Sequence, residues 1–134
     1  MTSSFDYAVV RIVPRVERGE FVNAGVILFC RARRFLGARV ALNEERLRAL
    51  APWIDPKEVR EHLAVIPLVT TGSAEAGPIG QLDLAGRFHW LVAPRSTIIQ
   101  TSPVHSGLCT DPAAMLDHIF GTLVEVFPLS QSKD

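Results

Sequence analysis

Over residues 5–13 the side chains alternate: Tyr7, Val9, Arg11 and Val13 share one parity, Ala8, Val10 and Ile12 the other. A period of two predicts a strand, ended by Pro14, which has no amide hydrogen to give a ladder. A polar connection, residues 15–20, leads into residues 21–30. There both parities are apolar, with Phe21, Ile27 and Phe29 against Val22, Val26 and Leu28. Such a run predicts a central strand covered on both faces, and the two strands read as a hairpin with a loop longer than the tightest type. A basic turn, Arg31-Ala32-Arg33-Arg34, leads to a third strand over residues 35–42.

The period then changes. Asn43 is placed to cap a short helix over residues 44–50, with Glu44 and Glu45 at its positive end. Asp55-Pro56-Lys57-Glu58 is a second helix start, and Val59, Leu63, Ile66 and Val69 recur on one face behind it. Pro67 predicts that this helix ends or kinks near Val65. Residues 70–80, rich in small and breaking residues, read as a surface loop. Residues 81–92 fit a helix or a strand. Residues 96–100 and 101–108 read as short extended segments around Pro103. Asp111-Pro112 opens a last helix with an apolar stripe of Met115, Leu116, Ile119, Phe120, Leu123 and Phe127, ending near Pro128; residues 129–134 read as a frayed tail. Strands, then helices, then strands and a closing helix predict a single α+β domain: a mainly antiparallel sheet with an N-terminal hairpin and about three packing helices.

At 134 residues the chain is long enough for one core without disulfides or a metal. Charges or turn residues interrupt every apolar run, so no membrane helix is expected. The first six residues lack the basic and apolar regions of a signal peptide, which points to a cytoplasmic protein. Cys30 ends an apolar run and reads as a buried free thiol. The four histidines, His62, His89, His105 and His118, make no close pairs with the cysteines, so no metal and no cofactor are expected. Net charge is zero but uneven: residues 1–60 carry eleven Lys and Arg against seven Asp and Glu, residues 61–134 three against seven. A basic half can mark an anion or nucleic-acid surface. Twelve of the fourteen basic residues are Arg, which a GC-rich genome explains equally well.

Candidate chemistry concentrates in two stretches. One is Arg18-Gly19-Glu20-Phe21-Val22-Asn23-Ala24-Gly25, with Arg11 on the neighbouring strand. Arg11, Arg18 and Asn23 could bind a phosphate or carboxylate; alternatively Arg18 pairs with Glu20, and Asn23 fixes a bulge or turn. Gly25 allows another backbone or a ligand to approach closely. The second stretch runs from Phe88-His89-Trp90 through Arg95-Ser96-Thr97 and Gln100 to His105-Ser106-Gly107. Arg95, Ser96 and Thr97 offer a cation, two hydroxyls and turn amides, an anion nest. His89 and His105 are candidate acids or bases, imidazole being the side chain usual in that role, with Ser96 a candidate nucleophile. No strained elbow frames that serine, and on the alternative reading Ser96 and Thr97 cap a turn while His89 satisfies a carbonyl. Arg31, Arg33, Arg34 and Arg39 form the third candidate surface, for nucleic acid, but Phe35 is their only nearby aromatic.

Through Tyr7, Val10-Arg11, Val13-Pro14, Arg18-Gly19-Glu20-Phe21-Val22-Asn23, Gly25-Val26, Phe88-His89-Trp90-Leu91, Ala93-Pro94-Arg95-Ser96-Thr97, Gln100 and Val104-His105-Ser106-Gly107, the chain resembles family 3037 of the bacterial domains of unknown function. The resemblance implies no activity. It implies a regulatory partner, a HipA-like kinase. With no catalytic set legible, the first expectation is a non-catalytic regulatory or partner-binding module. The alternative is a small enzyme or sensor that binds a phosphorylated metabolite or nucleotide through Arg11, Arg18 and Arg95.

Overall fold

The computed structural model describes residues 1–95 and 97–125. The predicted α+β architecture is present, with a five-stranded antiparallel sheet and four α-helices among the described residues. Strand β1 (Ser3–Ile12) pairs with β2 (Val22–Cys30), which pairs with β3 (Phe35–Val40). Helices α1 (Glu44–Leu50), α2 (Pro56–Thr71) and α3 (Leu84–Val92) follow. The chain then returns to the free side of β1 as β4 (Ile99–Thr101) and β5 (His105–Cys109), and closes with α4 (Pro112–Leu123). Each predicted cap is made: Asn43, Asp55 and Asp111 accept backbone N–H bonds at the starts of α1, α2 and α4.

The sheet has a core on each face. Val10, Ile12, Ala24, Ile27 and Phe29 pack with Leu47 of α1, Val59, Leu63, Ile66 and Val69 of α2, and Phe88 and Leu91 of α3. On the other face Phe5, Val26, Leu28, Cys30 and Cys109 pack with Leu116, Ile119 and Phe120 of α4. This is why β2 is apolar on both parities.

The structure corrects three expectations about individual elements. Pro67 does not end α2, which runs on to Thr71; Val69 and Thr70 gain burial in that extra turn, and Gly72 supplies a left-handed C-cap whose N–H bonds the Leu68 and Val69 carbonyls. Residues 70–80 are not a plain surface loop. Ser73 caps a 3-10 segment, Ala74–Gln81, broken at Gly77, and its Ala76 and Ile79 pack against the first core. The extended segments around Pro103 are shorter than expected, because Ser102 and Pro103 divide β4 from β5. Buried Ser102 bridges the gap: its N–H donates to the Val9 carbonyl (2.8 Å), and its Oγ accepts from the Val9 N–H (2.9 Å).

Residues 81–92, open in the sequence, contain helix α3. Asp83 accepts from the Gly86 N–H (2.7 Å), and Leu84, Phe88 and Leu91 recur on the buried side. The Phe127 end of the last apolar stripe, Pro128 and residues 129–134 lie outside the described residues, as does Ser96.

Both cysteines are free and buried. Burial, with Cys30 nearby, pushes the Cys109 thiol above its ordinary range. The folded state therefore favours the protonated thiol. That contribution is full below the pH at which an unfolded cysteine titrates, about 8.5, and is lost as pH rises past it. The urea midpoint should accordingly fall between pH 8 and pH 10, and Cys109→Ala should flatten the fall. An equal slope in the variant would show that Cys109 is not its source.

Candidate functional site

A hollow lies where α2, the end of α3 and β4 converge. It holds about 480 Å³ and is lined by His62, Val65 and Ile66 of α2, Trp90 and Leu91 of α3, Arg95, and residues 97–101. Its walls are mainly apolar, and two large side chains stand open to solvent there: Trp90 is 37% exposed and Val65 42%. A second hollow of about 300 Å³, lined by Val92, Pro94, Pro103 and Val104, adjoins the first and shares Arg95, Gln100 and Thr101 with it. Together they follow β4, which is an end strand of the sheet.

The edge of β4 has unsatisfied pairing capacity. Gln100 pairs with Arg11 of β1, the flanking Ile98 carbonyl accepts from the N–H of Val13 just past β1, and the Ser102 N–H donates to the Val9 carbonyl. By alternation, the backbone groups of Ile99 and Thr101 point away from β1 toward the hollows. Thr97 Oγ1 donates to the Ile99 carbonyl (2.9 Å), and among the described residues no further strand lies beside β4.

Arg95 shapes this site from within the protein. Its guanidinium lies 4.5 Å from the Trp90 ring centre and donates to the carbonyls of Trp90 (2.6 Å), Leu91 (3.0 Å) and Ala93 (3.2 Å). The cation closes the negative end of α3 and props Trp90 toward the groove. Thr97 and Gln100 bond each other's neighbourhood, with Gln100 Nε2 donating to the Thr97 carbonyl (2.9 Å).

A polar row crosses the opposite face of the sheet. Asn23 of β2 pairs with Arg11 of β1, which pairs with Gln100 of β4, and side chains paired across strands share a face. The row depends on a bulge. Before it, Val10 pairs with Gly25; after it, Arg11 pairs with Asn23, so Ala24 is the extra residue. Without the bulge Asn23 would stand opposite Ile12 and face the first core, because a one-residue slip turns a side chain to the other side. With it, Asn23 Nδ2 reaches the Leu123 carbonyl at the end of α4 (3.0 Å). Gly25 provides the close backbone approach expected of it: an added Cβ would stand 2.7 Å from the Arg39 carbonyl oxygen.

Arg11 is half-buried. Its guanidinium carbon lies 4.1 Å from the centre of the exposed Phe21 ring. Its Nε, and Asn23 Oδ1, are sealed from solvent without a hydrogen-bond partner among the described residues. Arg11 also makes no ion pair among the described residues.

The remaining predicted residues are dispersed. Arg18 and Glu20 pair in the exposed hairpin loop (2.7 Å); the hydrogen bond from Arg18 holds the Glu20 carboxyl below its usual range and raises Arg18. The three arginines suggested for a phosphate are thus engaged separately: Arg18 with a carboxylate, Arg95 with carbonyls, Arg11 with an aromatic ring. His89 is exposed on α3 beside Phe88, and His105 lies on β5 with its ring 5.4 Å from that of Tyr7; neither lines either of these two hollows. In the basic turn, Arg33 donates to Ser3 Oγ and the Met1 carbonyl, and Arg31 lies over Phe29. Arg39 stacks on Phe120 and pairs with Asp117. Sequence reasoning missed His62, Val65 and Ser102. Positions 62, 65, 66 and 69 recur at helical spacing, and that stripe was the available signal for the first two.

A family model described as "Protein of unknown function (DUF3037)" matches residues 7–124, which is most of the chain. The chain belongs to this family. The DUF3037 match begins at Tyr7 in β1 and ends just past α4, so it contains the groove, the bulge and the polar row. No curated protein and no solved structure matches the chain. No helix among the described residues is long and apolar enough to cross a membrane.

Proposed function

We propose that this DUF3037 chain is a non-catalytic partner-binding module whose groove takes an extended segment of another protein beside β4. The observation that supports this most is the pairing of an open strand edge with an apolar trough: Ile99 and Thr101 direct backbone groups toward space walled by Val65, Ile66, Trp90 and Leu91. An added strand gains affinity from main-chain hydrogen bonds and selectivity from the pockets that receive alternate side chains. Exposed Trp90 and Val65 supply the apolar contact, and Trp is enriched among the residues that dominate binding energy. A small-ligand reading would need convergent polar groups in the groove. Here His62 contributes an imidazole, while Arg95 is committed to the end of α3.

Within this reading, a HipA-like kinase is the partner that the family resemblance puts first, and the role is regulatory. Co-expression of the chain with such a kinase from the same genome should give a complex on affinity purification. Val65→Asp, an exposed position where a charge costs the fold little, should remove it. A chain that purifies alone, or a complex indifferent to Val65→Asp, would overturn the proposal.

A further inference from the structure

We infer that Arg11 sets the specificity of the groove, selecting segments that carry a carboxylate in register with Gln100. This rests on the reading of β4 as a strand-accepting edge. An added strand continues the row Asn23, Arg11, Gln100 by one residue, and that residue's side chain lies on Arg11's face of the sheet. Its two neighbours point the other way, into the trough beside Val65, Ile66 and Trp90. The occupant is therefore apolar, acidic and apolar at three successive positions, matched to Ile99, Gln100 and Thr101.

The charge follows from Arg11 itself. It is half-buried near the middle of the sheet and has no counter-ion among the described residues. Removing a guanidinium from water carries a desolvation cost that a carboxylate offsets. With Phe21 on one face and Nε sealed, only the outer end of the guanidinium is left to meet a ligand, and its fork matches a carboxylate. Two strand spacings, about 10 Å, separate Arg11 from the added residue; a long arginine and an acidic side chain span that together. Gln100, between them, is held by the Thr97 carbonyl.

Panning a displayed library of random linear peptides on the full-length chain tests this. Wild type should enrich segments with one Asp or Glu between apolar residues, and Arg11→Glu should enrich Lys or Arg at that position. A synthetic peptide from the wild-type selection should bind Arg11→Glu about tenfold more weakly, with the same loss when its acid is replaced by Ala. If Arg11→Glu does not fold, Arg11→Gln should lose the acidic preference and carries the test. Apolar segments with no acidic preference, lost on Val65→Asp but bound equally by the Arg11 variants, would overturn the role of Arg11 and leave the groove standing. Enrichment indifferent to Val65→Asp, or none at all, would overturn both.

Discussion

Phe88→Ala is expected to lower the free energy of unfolding by about 3–5 kcal/mol, a large part of what a domain of this size has to lose. Phe88 is 2% exposed, and its ring stacks on Phe29 of β2 with centres 5.2 Å apart. That contact docks α3 on the centre of the sheet. Truncation removes the buried ring and leaves a cavity whose walls belong to β2, α2 and α3, which are themselves held by other contacts and collapse little. The groove should suffer with the fold, since Trp90 and Leu91 sit on the same short helix. Urea denaturation followed by circular dichroism gives the number. His89→Ala, exposed on that helix, is the control and should stay near wild type. A Phe88→Ala cost below about 1 kcal/mol would mean that α3 is not anchored as described.

Much of this fold was legible because the local signals agree. The alternation in β1, the two-sided apolarity of β2 and the caps of α2 and α4, each an aspartate followed by proline, each have one physical meaning, and the structure bears each out. Where signals compete, local reasoning stops short. Pro67 speaks against a helix, but burial of Val69 and Thr70 and a glycine stop at Gly72 carry α2 one turn further. Ser102 looks like an ordinary residue before proline, yet its hydroxyl completes the ladder to Val9. The site was legible in part. Thr97, Gln100 and Arg95 border the hollows, and Arg11, Asn23 and Gln100 form one row. Two facts were hidden. The guanidinium of Arg95 turns inward to carbonyls, which depends on the path of the chain after α3. Val65 stands open to solvent beside the groove, and the helical stripe that contains it marks an apolar face without saying what lies against it.

Gly25→Ala should cost about 3 kcal/mol, near the upper end for a single added methyl group, whereas Gly19→Ala in the same motif should cost about 1 kcal/mol. The causes differ. Gly19 has a φ of +68° and nothing within 4 Å of a built Cβ, so alanine there meets only left-handed backbone strain. Gly25 has an added Cβ 2.7 Å from the Arg39 carbonyl oxygen and 2.9 Å from Val40 Cγ1, and a carbonyl in a ladder cannot step aside. Strands β2 and β3 must part next to the bulge, where the Ala24 carbonyl accepts from the Ala41 N–H (2.8 Å). The bulge is also what turns Asn23 toward the Leu123 carbonyl. Gly25→Ala should therefore loosen the end of α4 as well, seen as faster hydrogen exchange of the amides at residues 119–124. Gly19→Ala should leave that exchange unchanged. Equal costs in the two variants, or protection of α4 that survives Gly25→Ala, would show that the bulge does not hold Asn23 in place.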